Sequence, residues 1–229
     1  MRLNKFISAT GLCSRRQADQ WIEAGRVTCN GQLAALGTRV GSDDEVRVDG
    51  RIVGAKKAPI YLALNKPVGI TCTSESHIDG NIIDLIGHPE RIFPIGRLDK
   101  DSEGLILLTN DGDIVNEILR SENDHEKEYL VTVDRPITDL SLTMMASGVR
   151  IMGIMTKPAK VTRIDATNFR IILTQGLNRQ IRRMCSALGY KARGLRRVRI
   201  MNVKLGDLGV GEWRDLTPAE VAGLMPDRD

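Results

Sequence analysis

The segment GRLDKDSEGLILLTNDGD, Gly96 to Asp113, decides how the rest of the chain is read. An apolar approach at Ile92, Phe93 and Ile95 leads into it, and Leu105–Thr109 resumes the apolar run after it. Arg97, Asp99, Lys100, Asp101 and Glu103 are thereby held between two buried strands, where a rigid scaffold presents reactive groups. By residue type alone the i, i+2 pair Asp99 and Asp101 is open to two readings. It can be the paired carboxylates of a sugar hydrolase, or a tight turn whose aspartates accept bonds from backbone amides. Asp111-Gly112 then opens a helix whose buried stripe would be Ile114, Val115, Ile118 and Leu119.

Outward from this segment, strands are expected at Ile60–Leu64, Glu128–Val133, Phe169–Thr174 and Arg196–Val203. A helix opening at Asn178 would bury Ile181, Met184, Cys185 and Leu188 and stop at Gly189, with Arg179, Arg182 and Arg183 on its other face. Thr217-Pro218 with Glu220 spells a capping box with proline just inside a last helix. Long strands with few helices imply an α+β domain on a bent, mainly antiparallel sheet. Ahead of it, Leu3, Phe6 and Ile7 form one short helical face that ends at Gly11. Ser14 with Gln17 caps a second helix that buries Ala18, Trp21 and Ile22 before Gly25. Asn30-Gly31 and Asp49-Gly50 suit hairpin turns. RIVGAKKAP, Arg51 to Pro59, breaks both periodicities and reads as a linker, dividing the chain into domains at 1–57 and 58–229.

Composition narrows the function. With 41% hydrophobic residues in 229, the chain can bury a real core. No run approaches the ~18 apolar residues of a membrane span. MRLNKFISATGLCSRR lacks the apolar core of a secretory signal, so a cytoplasmic location is expected, with no membrane partner. Cys13, Cys29, Cys72 and Cys185 and His77, His88 and His125 are scattered, without metal-ligand spacing, and no glycine-rich phosphate loop is present. Neither metal nor small-molecule cofactor is expected, and a monomer is. The net charge of +4 is unevenly spread. From Gly176 to Gly206 the chain carries Arg179, Arg182, Arg183, Lys191, Arg193, Arg196, Arg197, Arg199 and Lys204 and no acid. Such a run attracts a phosphate backbone, although charge runs are also ordinary solvated faces. Aromatic residues make up only 3%, too few for a platform of stacked rings.

Four motifs carry a resemblance. Gly96-Arg97-Leu98-Asp99 followed by Ser102-Glu103-Gly104-Leu105 is similar to the signature of the pseudouridine synthases related to RsuA and RluA. Leu64-Asn65-Lys66-Pro67-Val68-Gly69, Lys127-Glu128-Tyr129 and Gly176-Leu177-Asn178-Arg179-Gln180-Ile181-Arg182-Arg183 resemble the same family's other motifs, in family order. The first 50 residues resemble an S-four-type RNA-binding domain on RLNKFI, CSRRQAD and the Asn-Gly turn, which points to the RsuA branch. NDHEKEYLVTVD, Asn123 to Asp134, GLNRQIRRMC and RIMNVKLGDLGVGEWRDLT look most like a branch member that acts on large-subunit (23S) ribosomal RNA. The resemblance implies that Asp99 is the essential carboxylate, as nucleophile or base, that Arg182 pairs with it, and that Tyr129 lies against a flipped uracil. RNA would be held by Lys5, Arg15, Arg16, Arg97, Arg179, Arg183, Arg196 and Arg197. A tRNA stays open as a second substrate, and a non-catalytic RNA-binding or ribosome-assembly protein on the same fold is the alternative.

Overall fold

The computed structural model describes residues 1–54, 57–75, 78–119 and 124–225. Ala55 and Lys56 of the expected linker, His77 and Asn123 lie outside them. The chain forms two compact units, Met1–Ile60 with His88–Ile92 and Asn110–Gly112, and the remainder from Tyr61 onward.

In the first unit, α1 (Leu3–Ala9) and α2 (Arg15–Glu23) precede β1 (Val27–Cys29), β2 (Gln32–Leu33), β3 (Val46–Val48) and β4 (Arg51–Ile52). The Ser14–Gln17 capping box forms in both directions, satisfying two amide donors that a helix start otherwise leaves unpaired. Leu3, Ile7, Ala18 and Ile22 pack with Val27, Val40, Val46 and Val53. The strands run in the order β2-β1-β3-β4. Asn30-Gly31 and Asp49-Gly50 take positive φ at both residues, which matches the twist of the hairpins they close. Arg51 and Ile52 are a strand and not linker, because Val48 and Arg47 pair with them.

The second unit follows with β5 (Tyr61–Lys66), α3 (Ile82–Ile86), β6 (Phe93–Ile95), β7 (Glu103–Thr109), α4 (Gly112–Leu119), β8 (Lys127–Val133), α5 (Asp139–Ser147), β9 (Arg150–Ile151) and β10 (Ile154–Met155). Then come β11 (Lys160–Arg163), β12 (Asn168–Leu173), α6 (Gln180–Ala187), β13 (Ala192–Ile200), β14 (Val203–Lys204), β15 (Trp213–Asp215) and α7 (Pro218–Leu224). The large sheet has the order β11-β12-β8-β13-β7-β5-β15, with β14 beside β13 and β6 beside β7. Among the described strands β13 and β7 alone run parallel, so the mainly antiparallel α+β reading holds. One core joins β8, β12 and β13 to α5 and α6 through Val131, Phe169, Ile171, Met145 and Met184. The other joins β5 and β7 to α4 and α7 through Ala63, Leu105, Leu107, Ile114, Ile118 and Leu224.

Two helix readings need correction. Leu119 is exposed, and Ile114 and Ile118 carry the burial of α4. Helix α6 starts at Gln180 with Arg179, not Asn178, as its N-cap, in the left-handed region at φ 51°. Among the described residues no side chain caps α6; Gln180 Oε1 instead accepts from the Leu177 N–H at 3.0 Å and ties the preceding turn to the first residue of the helix.

Candidate active site

Four neighbouring strands place one row of residues across the sheet. Lys66 on β5 pairs with Gly104 on β7, Gly104 with Arg197 on β13, and Arg197 with Tyr129 on β8. Residues paired across strands share a face of the sheet. Gly104 is needed in this row: its φ is +103°, and a Cβ there would stand 2.3 Å from the Arg197 carbonyl oxygen. The Asp99 loop enters the sheet at this point.

That loop is fastened from several sides. The Ser102 N–H donates to the Asp99 carbonyl at 3.0 Å and closes a turn, and the Gly69 N–H donates to the Lys100 carbonyl at 2.7 Å. Leu98 is buried, and its N–H donates to Cys72 Sγ at 3.4 Å. Lys66, fully buried, donates from Nζ to the Pro67 and Ile70 carbonyls at 2.8 and 2.9 Å, shaping the turn against which the loop rests. Burial lowers the Lys66 ammonium below its ordinary range and raises the Cys72 thiol above its own.

Asp99 and Asp101 receive different partners. Asp101 forms a two-pronged pair with Arg179, Nη1 to Oδ1 at 3.0 Å and Nη2 to Oδ2 at 2.8 Å. Those bonds from Arg179 hold the Asp101 carboxyl below the usual range. Arg182 adds Nε at 3.4 Å from Asp101 Oδ2. It also donates from Nη2 to the Asp101 carbonyl at 2.7 Å and from Nη1 to the Ala192 carbonyl at 3.0 Å. Asp99, with 32% of its side chain exposed, has Arg179 Nη1 at 3.6 Å from Oδ2. The expected pairing of Arg182 with Asp99 is therefore corrected. Arg182 is tied to Asp101 and the loop backbone, and Arg179 is the guanidinium next to Asp99. Helix position puts both arginines near the loop, but backbone carbonyls on two sides fix Arg182 where it is. With Asp101 locked to two guanidiniums, the hydrolase reading of two free carboxylates loses its footing.

Tyr129 is half-buried, its ring centroid 5.9 Å from Arg197 Cζ. Arg197, expected to hold RNA, is instead only 4% exposed and donates from Nε to the Leu105 carbonyl at 2.7 Å. Strand alternation turns it inward on the same face as Tyr129. Arg97 is exposed beside Asp99, Arg183 is exposed with Nη2 on Asn178 Oδ1 at 3.0 Å, and Arg196 is half-buried. In the first unit, Arg15 and Arg16 are exposed on the first turn of α2 and Lys5 is half-buried. The basic run is less one-sided in space than in sequence. Asp101 neutralises Arg179 and Arg182, and Glu126 and Glu128 neutralise Arg199 at 2.9 and 2.8 Å. The sequence raised Asp101 only as a possible second carboxylate beside Asp99, and it gave Lys66 no role of its own although Lys66 lies in the Leu64–Gly69 motif.

The RNA pseudouridylate synthase family model matches residues 60–187, and the S4 domain model matches residues 1–46. The chain is a member of the RsuA family of RNA pseudouridine synthases. The enzyme is 56% identical over 226 residues to the dual-specificity RNA pseudouridine synthase RluF of Salmonella typhi, covering 98% of this chain and 78% of that one. It is 54% identical over 227 residues to RluF of Escherichia coli K12, with the same coverage. Ribosomal large subunit pseudouridine synthase B of Bacillus subtilis is 34% identical over 97% of this chain and 95% of its own. A crystal structure of a pseudouridylate synthase superposes with a TM-score of 0.72 at 33% identity, covering 98% of this chain and 99% of that one. Among the described residues no helix of the synthase is long and apolar enough to cross a membrane.

Proposed function

We propose that this enzyme isomerises uridine to pseudouridine in 23S ribosomal RNA, with a tRNA as second substrate, and that Asp99 is its catalytic carboxylate. The observation that carries the reading is the division of labour in the loop. Asp101 takes the close guanidinium pairing, while Asp99 stays partly open to solvent with Arg179 at 3.6 Å. The target base leaves its stack to reach this loop, at a cost of a few kcal/mol. Asp99 then adds an oxygen to ribose C1′ or removes the C2′ proton. By either route the C1′–N1 bond parts and its electron pair stays on the uracil. The base turns and rejoins C1′ through C5, then loses the C5 proton while N1 gains one.

Tyr129 supplies the ring that the uracil lies against, and Arg182, through Asp101 and the loop backbone, positions Asp99. Residues 1–57 form an RNA-binding domain that uses Lys5, Arg15 and Arg16, and residues 58–229 form the catalytic domain. Arg97, Arg183 and Arg196 take phosphates near the target, whereas Arg179, expected to hold RNA, is engaged by Asp101. The large-subunit substrate is supported by the name of the synthase B relative, and a second RNA class by the dual-specificity name of RluF. The protein acts in the cytoplasm as a monomer. Incubation with RNA tritiated at uracil C5 is the test: an isomerase releases tritium, whereas a non-catalytic ribosome-assembly protein binds the same RNA and releases none.

A further inference from the structure

Among the described residues, three cations of the large sheet, Lys66, Arg197 and Lys127, have no carboxylate within ion-pair distance. Lys66 is fully buried, and among the described residues its ammonium bonds to the Pro67 and Ile70 carbonyls. Arg197 is 4% exposed, bonds to the Leu105 carbonyl, and leaves Nη2 buried with no acceptor among the described residues. Lys127, half-buried one register step from Tyr129 on the same face, donates to the His125 carbonyl at 3.2 Å. Elsewhere in the same sheet Arg199 has two glutamates, so unpaired charge is not the sheet's general habit. A buried cation without a counter-ion is costly, and packed apolar side chains would avoid the cost. Burial lowers both lysines, and the positive charge of Arg197 lowers each further, so the three share one positive potential. Against that lowering, the carboxylates of Asp101 and then Asp99 act on Lys66 in the opposite direction.

We propose that Lys66 and Arg197 stabilise the negative charge that appears on the uracil when its bond to the ribose breaks. The inference rests on the isomerase reading above. When C1′–N1 parts, the electron pair leaves an anion spread over N1, O2 and O4. At the same moment Asp99 loses its charge, either as an ester on C1′ or by taking the C2′ proton. Charge thus moves from Asp99 to the detached base while the cations stay fixed. Held by backbone carbonyls and by the strand row, they need no reorganisation to meet it. Arg197 lies beside the Tyr129 ring, against which the base rests, and Lys66 stands at the other end of the strand row, where it feels both Asp99 and Arg197, so the pair spans the two locations of the charge. When C5 attacks C1′ the charge returns to Asp99, and the cycle closes without net transfer.

The test compares a uridine RNA with the same RNA carrying 5-fluorouridine at the target, read as single-turnover loss of the parent nucleoside after digestion. Fluorine draws electrons from the ring, so the fluorinated base is a better leaving group and needs less help. R197Q should slow the uridine RNA by about 10²-fold and the fluorouridine RNA by about tenfold or less. K66M should show the same asymmetry, and R197K, which keeps the charge, should give the wild-type ratio between the two RNAs. Equal slowing of both RNAs in folded R197Q and K66M would overturn the proposal, because cations that merely hold Asp99 or the fold are blind to the leaving group. Should R197Q fail to fold, K66M carries the comparison, and a shifted ratio in R197K counts against the proposal in either case. Absence of tritium release from wild type would instead sink the isomerase reading itself.

Discussion

Asp99 and Asp101 differ by two positions and by everything their neighbours do to them. Asp101 spends both oxygens on Arg179 and also has Arg182 within ion-pair distance, whereas Asp99 has one guanidinium atom at 3.6 Å. Asp99→Asn is nearly isosteric and leaves the loop's backbone bonds in place, so fold and RNA affinity should persist. Tritium release should fall to background, because an amide neither attacks C1′ nor takes the C2′ proton. A rate near wild type at unchanged thermal stability would show that this carboxylate does not act. Asp101→Asn should behave differently. An amide offers Arg179 one acceptor instead of two, and the nearest remaining carboxylate is Asp99. Closure of Arg179 onto Asp99 should cut the single-turnover rate while RNA affinity holds or rises. The stability change should be only about 1 kcal/mol, since Asp101 is half exposed. An unchanged rate would mean that Asp101 does not govern its neighbour. The motif identified Asp99 in sequence, but it left the partner of Arg182 open, because a long side chain's reach is not fixed by helix register. Lys66 and Arg197 were harder still to read, since charge in a sequence speaks for surface and both are buried.

At the scale of elements, legibility followed local chemistry. The Ser14–Gln17 and Thr217–Glu220 boxes and the Asn-Gly and Asp-Gly turns were readable because each is closed within four residues. Helix α5, capped by Thr138, and the edge strand β15 were not read. The first has leucines and methionines on exposed and buried sides alike, with Leu140 out and Leu142 in. The second gains its pairing from β5, nearly 150 residues earlier in the chain. The start of α7 also carries a pH prediction. Arg214 donates to both Glu220 oxygens at 2.8 and 2.7 Å, and these bonds, with the Thr217 N–H, hold the Glu220 carboxyl at about 2. Its folded value lies below the ordinary 4.5, so the pairing stabilises the fold above that pH and is lost as pH falls towards 2. The contribution is on the order of 2 to 3 kcal/mol. Unfolding in denaturant at pH 5, 4, 3 and 2 should therefore cost wild type more stability than Glu220→Gln, which has no such proton to take up. Equal acid sensitivity in the two proteins would remove Glu220 from the account.

For the whole molecule, composition and periodicity placed a break near residue 57, and the folded chain distributes its contacts less simply. His88–Ile92 and Asn110–Gly112 cluster with the first unit, although both sit far along the chain. Lys57 pairs with Glu90, and Asn110 bonds to the Ala58 carbonyl and the Ile60 N–H. Segments that return from a distance leave no local pattern, which is why a linear reading draws one cut where the fold makes five. A chain of residues 58–229 keeps Asp99, Tyr129, Arg179, Arg182 and the whole row from Lys66 to Tyr129, and it loses Lys5, Arg15 and Arg16. It should therefore turn over bound RNA at close to the full single-turnover rate once RNA is saturating. Its affinity should be weaker, and its dependence on salt shallower. Each phosphate contact contributes about 0.7 to 0.9 to the slope of log affinity against log salt, so losing Lys5, Arg15 and Arg16 should flatten that slope by about two to three. Slopes and rates measured on the same preparations separate the possible failures. An unchanged slope would mean that none of the three side chains meets a phosphate. A folded truncated chain that binds RNA yet turns over none at saturation would mean that the first unit, or the segments that fold with it, helps to build the active site.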